Sequence, residues 1–371
     1  MKKKGFISVP FHWLFVILAG GFIMFLFAFF VTMGLEANDA KLSTELLLHF
    51  DTIFSTLATS ELTETPIKLS RGTQLRFSCD LEIEGGEGFV YSDFQLEGGS
   101  VDRNIDQFAV FTNEEVGGSS IITKTEAVNV PFTTTSALFI VDSDTRYVAY
   151  YKAAGSPIEN KKKNDRLQEV MDLFPANSSK VIVTNFNGEG YKAYDTIVLI
   201  TIETGQLEIG GVGAVPEYFR DFKNLRHIDI VPKDPDEVLR SGYVKYKVLS
   251  AVSDYEQFQE DYDNVSYHSP GLLLGSIISP SQDFYDCTVW KIMDTHLRVM
   301  LDLLSKKANK LALDPEYSAR CGAIYSLLGS ELINYKQSIY PNKEMKDYDP
   351  RISDIEGLNA QLEFESCPLI Y

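Results

Sequence analysis

The sequence predicts an α+β protein: an N-terminal transmembrane helix extended as an amphipathic helix, then a β-rich domain, an α/β layer and a C-terminal αα-hairpin. Three observations predict it. Residues 11–33 read FHWLFVILAGGFIMFLFAFFVTM, with no Asp, Glu, Lys or Arg. Residues 66–155 fall into short strand-like runs separated by Gly-Gly pairs. From residue 160 onward, helical spacings alternate with β-branched runs and end in two long helical patterns.

At about 1.5 Å rise per residue, the run 11–33 reaches across the roughly 30 Å hydrocarbon core of a bilayer. Backbone groups in lipid must bond to each other, so the segment is expected to be helical. Lys2, Lys3 and Lys4 precede it, while Glu36, Asp39 and Glu45 follow. Flanking lysines stay cytoplasmic, which makes 1–10 a short basic cytoplasmic leader and puts the body outside. A secretory signal peptide is the rival reading, but the run ends FVTMGLEANDA, a poor cleavage site.

The helix is expected to continue through 34–59. Leu42, Leu46, His49, Ile53 and Leu57 recur every three or four residues, with Phe50 and Phe54 beside them. That spacing is an amphipathic stripe that would pack against the body. The alternative is a separate short helix after a bend at Gly34.

The opening KKKGFISVPFHWLFVIL resembles an archaeal type IV pilin-like N-terminus, in which a short basic leader ends in Gly and a hydrophobic helix follows. After that Gly the family often has Gln-x-Ser-x-Glu. Phe6-Ile7-Ser8-Val9-Pro10 keeps Ser8 and has Pro10 in the place of the Glu. The same stretch is similar to the start of uncharacterised single-span membrane proteins of small-genome archaea. The resemblance covers about 15 residues. It implies a pilin-like topology, processing between Gly5 and Phe6, and self-association through the N-terminal helix. Pro10 also fits the first turn of any helix, where its missing N–H costs nothing.

The chain carries a formal net charge of −18, which argues against nucleic acid, because phosphate binding needs clustered Lys and Arg. Hydrophobic residues make up 44% of it, ample for a core.

Within the β-rich segment 66–155, strands are expected at 74–79, 88–94, 108–111, 137–141 and 146–151. Gly-Gly pairs at 85–86, 98–99 and 117–118 supply turns. The second body segment, 160–371, starts with a helix over 164–174, where Leu167, Val170, Met171 and Phe174 share a face. Strands follow at 180–184, 196–202 and 227–231, and a further helix at 216–224. Gly210-Gly211-Val212-Gly213 follows a strand, yet the third glycine of a dinucleotide fingerprint would fall on Pro216, so it reads as a loop. Residues 283–313 and 317–335 then form the expected αα-hairpin, separated by Pro315.

All four cysteines, Cys79, Cys287, Cys321 and Cys367, lie beyond the span. An even count outside the membrane fits two disulfides. Cys287 and Cys321 share the helical region and are expected to pair, leaving Cys79 for Cys367; free buried thiols are the alternative. Zinc is not expected, because there is no C-x-x-C. Asn177 and Asn264 head Asn-x-Ser sequons and are candidate glycosylation sites.

The five histidines, at 12, 49, 227, 268 and 296, stand apart, and no G-x-S-x-G or H-E-x-x-H occurs. His296 and Arg298 read as the edge of an apolar stripe. The sequence thus predicts no catalytic residue, cofactor or metal. It predicts a membrane-anchored cell-surface protein, its partners being the lipid bilayer and other surface or envelope proteins. A pilin-like subunit is the alternative.

Overall fold

A computed structural model describes residues 48, 50–54, 56, 64–69, 73–84, 87–96, 102–105, 108–151, 156–184, 194, 196–203, 224–252, 255–340 and 345–371. Among the described residues, three sheets and six α-helices make up the body.

The first sheet runs in the order β1 (Glu64–Lys68), β7 (Ser120–Asn129), β8 (Thr133–Asp142), β5 (Val110–Phe111). The second sheet is built on the hairpin β2 (Leu75–Glu84) and β3 (Glu87–Leu96), with β4 (Asp102–Asn104) and β6 (Glu115–Val116) pairing only at its base. Between these two sheets lies an aromatic cluster. Phe77 and Phe94 stack at 5.7 Å, and Phe54 meets Phe94 edge-on at 5.5 Å. Residues 50–54 are helical, and their Phe50 and Phe54 are buried in this cluster.

The third sheet has six strands in the order β10 (Lys180–Val183), β9 (Thr145–Tyr150), β11 (Thr196–Ile202), β12 (Asn224–Pro232), β13 (Gly242–Val252), β14 (Tyr255–Tyr267). The first four are parallel and the last two antiparallel. Numbered along the chain, the parallel strands lie 2-1-3-4, so the winding reverses between β9 and β11. The five central residues of β11, IVLIT, are all buried, as expected of a strand covered on both faces. Helix α1 (Pro157–Asp172) joins β9 to β10. Ser156 and Glu159 form a capping box at its start, and Leu167, Val170 and Met171 face the core.

Helix α2 (Pro270–Ile278) is almost wholly buried, with Pro270 in its first turn and Ser269 as its cap. Gly275 lets it approach the first sheet: a Cβ there would sit 2.7 Å from the Phe111 ring. That ring is already held by Phe139 and Tyr285, so it has nowhere to move. The expected helix 283–313 is present as α3 (Gln282–Lys291), a π-helical turn over Ile292–Leu297, and α4 (Arg298–Leu313). Helix α5 (Ser318–Ser338) packs back on α4, and α6 (Asp349–Phe364) follows.

The expected architecture needs correcting in two respects. Among the described residues no helix is long and apolar enough to cross a membrane. The longest, α5, buries only one stripe (Cys321, Tyr325, Leu328, Leu332, Tyr335) and exposes Arg320, Ser326, Ser330, Asn334 and Gln337 beside Leu327 and Ile333, the pattern of a helix packed on protein. Residues 11–33, most of 34–59, Gly5 and Phe6, the glycines at 210–213 and all of the expected helix 216–224 but Asn224 lie outside the described residues; Asn224 opens β12. Nor do the β-rich and α/β parts follow as separate layers. Strand β9 joins the six-stranded sheet, and one core runs from Ala109 through Phe139, Val198, Ile230, Leu273 and Leu301 to Ile370.

The disulfide pairing also needs correcting. Cys79 bonds Cys287, and Cys321 bonds Cys367. Position along the chain misleads here because α3 and α5 turn toward different neighbours. Helix α3 crosses β2, and α5 faces the C-terminal tail, where Tyr325 donates a hydrogen bond to the Pro368 carbonyl at 2.8 Å.

Candidate functional site

A groove opens where β12, β13, β14 and the start of α6 converge. After β12, residues 233–241 turn back on themselves, with the Lys233 amide donating to the Ser241 carbonyl at 2.9 Å. Gly242 then re-enters the sheet so closely that a Cβ would lie 2.5 Å from the Val231 carbonyl oxygen. His268 leaves β14 immediately before the cap of α2, and Asp349 is the first residue of α6. His268 Nε2 lies 2.6 Å from Asp349 Oδ1, and Lys233 Nζ lies 3.6 Å from Asp349 Oδ2.

This three-residue contact divides the groove. On one side is a cavity of about 500 Å³ lined by Tyr243, Lys245, Asn264 and Ser266. On the other is one of about 260 Å³ lined by Asp234, Glu237, Arg240, Ser353 and Glu356. Burial alone would push the Asp349 carboxyl up, but contact with His268 and the charges of His268 and Lys233 outweigh it and hold the carboxyl below its ordinary range. Arg240 is already engaged by Glu237 and Glu356. The larger cavity is the better receptor, with an aromatic ring, an ammonium, an amide and a hydroxyl on one wall.

Behind that wall a row of polar residues crosses the sheet. Thr201 pairs in register with Asp229, Asp229 with Lys245, and Lys245 with Asn264. Thr201, His227 and Asp229 are fully buried. The Thr201 hydroxyl donates to Asp229 Oδ1 at 2.6 Å and lies 2.9 Å from His227 Nε2. A hydroxyl has one proton, so His227 Nε2 must be the donor in the second bond. A nucleophile needs the opposite arrangement, with the imidazole accepting. His227 therefore does not activate Thr201, and the cluster works as a polar clamp between parallel strands.

The opposite face of the same sheet carries a partly buried cation. Arg226 donates to the Ser279 carbonyl at 2.5 Å and to Asn113 Oδ1 at 2.7 Å, with the Ile278 carbonyl at 3.4 Å. The carbonyls are those at the C-terminal end of α2, where positive charge is favoured. Burial first of all lowers the Arg226 pKa, partly offset by Tyr147, Tyr246 and Asp142. Asp142 is also buried, and desolvation raises its pKa to about 6 against the help of Thr145. A carboxyl raised in the fold stabilises most when protonated in both states. Its contribution is full below about pH 4 and is lost as pH rises through about 6, a swing of roughly 3 kcal/mol. Asp142→Asn is expected to flatten that part of the curve and to unfold at higher denaturant than the parent at pH 7. Urea melts at pH 4.5 and 7 measure this, and equal pH slopes in the two proteins would rule it out.

The residues marked from sequence are scattered. Asn177 is exposed in the turn after α1, and Asn264 is exposed on β14 in the groove wall. His296 sits in the π-helical turn, half-buried, its pKa lowered by burial and then by Lys291. Arg298 pairs with Asp294 at 3.1 Å and donates to the Ile339 carbonyl at 2.7 Å. Neither His296 nor Arg298 belongs to the groove. Sequence reasoning missed His268, Asp349 and Lys233 because they come from three distant elements and share no motif. Among the described residues no cluster of three or more His, Cys, Asp or Glu could hold a metal. No protein-family model, curated protein or solved structure matches the chain.

Proposed function

We propose that this chain is a non-catalytic, membrane-attached cell-surface protein, with its N-terminus cytoplasmic and its body an extracytoplasmic interaction domain. The observation that carries this reading is the closure of all four cysteines into two long-range disulfides. Such bonds persist in oxidising compartments and are rare in the cytosol. The uncharged sequence of 11–33, led by three lysines, supports attachment in that orientation. Its partners are then the lipid bilayer and other envelope proteins, and the groove beside Tyr243 offers one contact surface. Asn177 and Asn264 are surface sequons consistent with the same side of the membrane.

Protease shaving of intact native cells tests the reading. The body is expected to be degraded without lysis. Survival until the cells are opened would overturn it. The N-terminal resemblance carries a second reading, a pilin-like subunit assembled through its N-terminal segment. Mass spectrometry separates the two: a native N-terminus at Phe6 favours assembly, and an intact lysine leader opposes it.

A further inference from the structure

The β2–β3 hairpin leaves the body as a bare two-stranded ribbon. Strand β6 pairs only with Leu75 and Arg76, and β4 only with Asp93, Phe94 and Gln95. Among the described residues, 78–84 and 87–91 therefore ladder only with each other, while the Ser92 carbonyl accepts from the Ile105 amide at 2.9 Å. One face of the ribbon is fastened down. Cys79 is bonded to Cys287 of α3, and the buried Lys291 donates to Ser92 Oγ at 2.6 Å and to the Ile105 carbonyl at 2.5 Å. The other face is open. Phe89 is 44% exposed and Tyr91 53%, and toward the tip Ile83 of the fastened face is also 53% exposed.

An isolated hairpin is marginal, and an open strand edge with apolar side chains invites another strand. Protein edges are commonly blunted with proline or with charged side chains, lysine above all. This one has no proline or lysine and its charges are all acidic, which bars a like-charged strand and leaves a cationic one favoured: β2 reads CDLEIE from Cys79 to Glu84. Its exposed Asp80, Glu82 and Glu84 project on the Phe89–Tyr91 face, with Asp80 opposite Tyr91 and Glu82 opposite Phe89. Leu81 and Ile83 project on the other face.

That alternation selects the occupant. A strand added along β2 places its side chains about 5 Å from those of β2, face by face. The residues meeting Asp80, Glu82 and Glu84 must be cationic, and those meeting Leu81 and Ile83 apolar. A second copy's ribbon would set carboxylate against carboxylate, and an anionic lipid surface would be repelled as well. We propose that the free edge of β2 takes up an extended segment of a partner protein in which Lys or Arg alternates with β-branched residues. The aromatic rings of Phe89 and Tyr91 lie within reach of the longer cationic side chains on the same face. This goes beyond the interaction role given above by naming a second surface and the chemistry of its partner.

The test uses the full chain in lipid nanodiscs and fluorescence anisotropy with labelled synthetic peptides. The probe is acetyl-KVKVKVK-amide. Its controls are the same residues in block order, KKKKVVV, and the acidic peptide EVEVEVE. The alternating cationic peptide is expected to bind, the block peptide about tenfold more weakly, and the acidic peptide not at all. Glu82→Lys with Glu84→Lys is expected to weaken the alternating peptide about tenfold while leaving the melting curve of these exposed positions unchanged. Phe89→Ser with Tyr91→Ser gives a second, uncharged variant with the same expectation. Equal binding of the alternating and block peptides, undiminished binding by both variants, or no binding at all overturns the inference. Cell-surface shaving does not enter this measurement, so failure here leaves the compartment reading intact, and the reverse.

Discussion

Arg226→Met is expected to lower the free energy of unfolding by about 2 to 4 kcal/mol, because leaving a buried acceptor unpaired costs about 1 to 3 kcal/mol and several are left here. Methionine fills similar space, so the loss comes from what it leaves behind. Asn113 Oδ1 and the Ser279 and Ile278 carbonyls would each lose a donor in a place water does not reach. These acceptors belong to different parts of the fold: the connection after β5, and the end of α2. Arg226 itself lies on β12. One guanidinium therefore ties the six-stranded sheet to the first sheet and the helical layer. Arg226→Lys should fare nearly as badly, because the three donors of an ammonium radiate from one nitrogen, whereas the Ser279 carbonyl oxygen and Asn113 Oδ1 are reached from two separate guanidinium nitrogens. Guanidinium titrations of parent and variants measure the effect. A loss under about 1 kcal/mol would mean the carbonyls find other donors, and the stapling role would be wrong.

Removing the Cys79–Cys287 bond should cost at least as much. It closes a loop of 208 residues, against 46 for Cys321–Cys367. Restricting the unfolded chain by loops of these sizes is worth about 5 and about 4 kcal/mol respectively. Paired Cys→Ala variants of each bond, compared by denaturant unfolding, are expected to show both losses, the larger for Cys79→Ala with Cys287→Ala. The longer bond also roots the ribbon, so its loss should raise amide exchange in 75–84 first. If the shorter bond proves the more important, chain entropy is not the governing term and local packing around Cys367 is.

Much of the architecture was legible where burial is complete on both sides of a strand. Residues 196–202, TIVLITI, admit no other reading, and the strand has those bounds. Helix α1 was legible from Leu167, Val170 and Met171, although its start at Pro157 depends on a capping box seven residues before the marked stretch. Strands β13 and β14 were not foreseen. Their sequences, GYVKYKVLSAV and YEQFQEDYDNVSY, mix charged and aromatic residues in an alternation that a polar loop also shows. Helix α2, PGLLLGSII, is too short and too uniformly apolar to betray its period, and α6 has apolar residues spread around its circumference. The groove was invisible for a different reason. His268 and Asp349 are 81 residues apart, and only the return of α6 to the end of β14 brings them together. Cysteine pairing failed on the same ground, since a bond reports proximity in space.

The long disulfide also decides how the molecule would bear a load. A partner strand laid along β2 would pull on residues 80–84, one step from Cys79, while any attachment through the N-terminal segment pulls from the other side of that same residue. Force between those two points runs along the backbone through Cys79, and the bond to Cys287 ties that same point covalently to α3, so the ribbon cannot swing away from the helix while the bond holds. Residues 85–286 lie off that backbone route, and the six-stranded sheet hangs beside it as unloaded cargo.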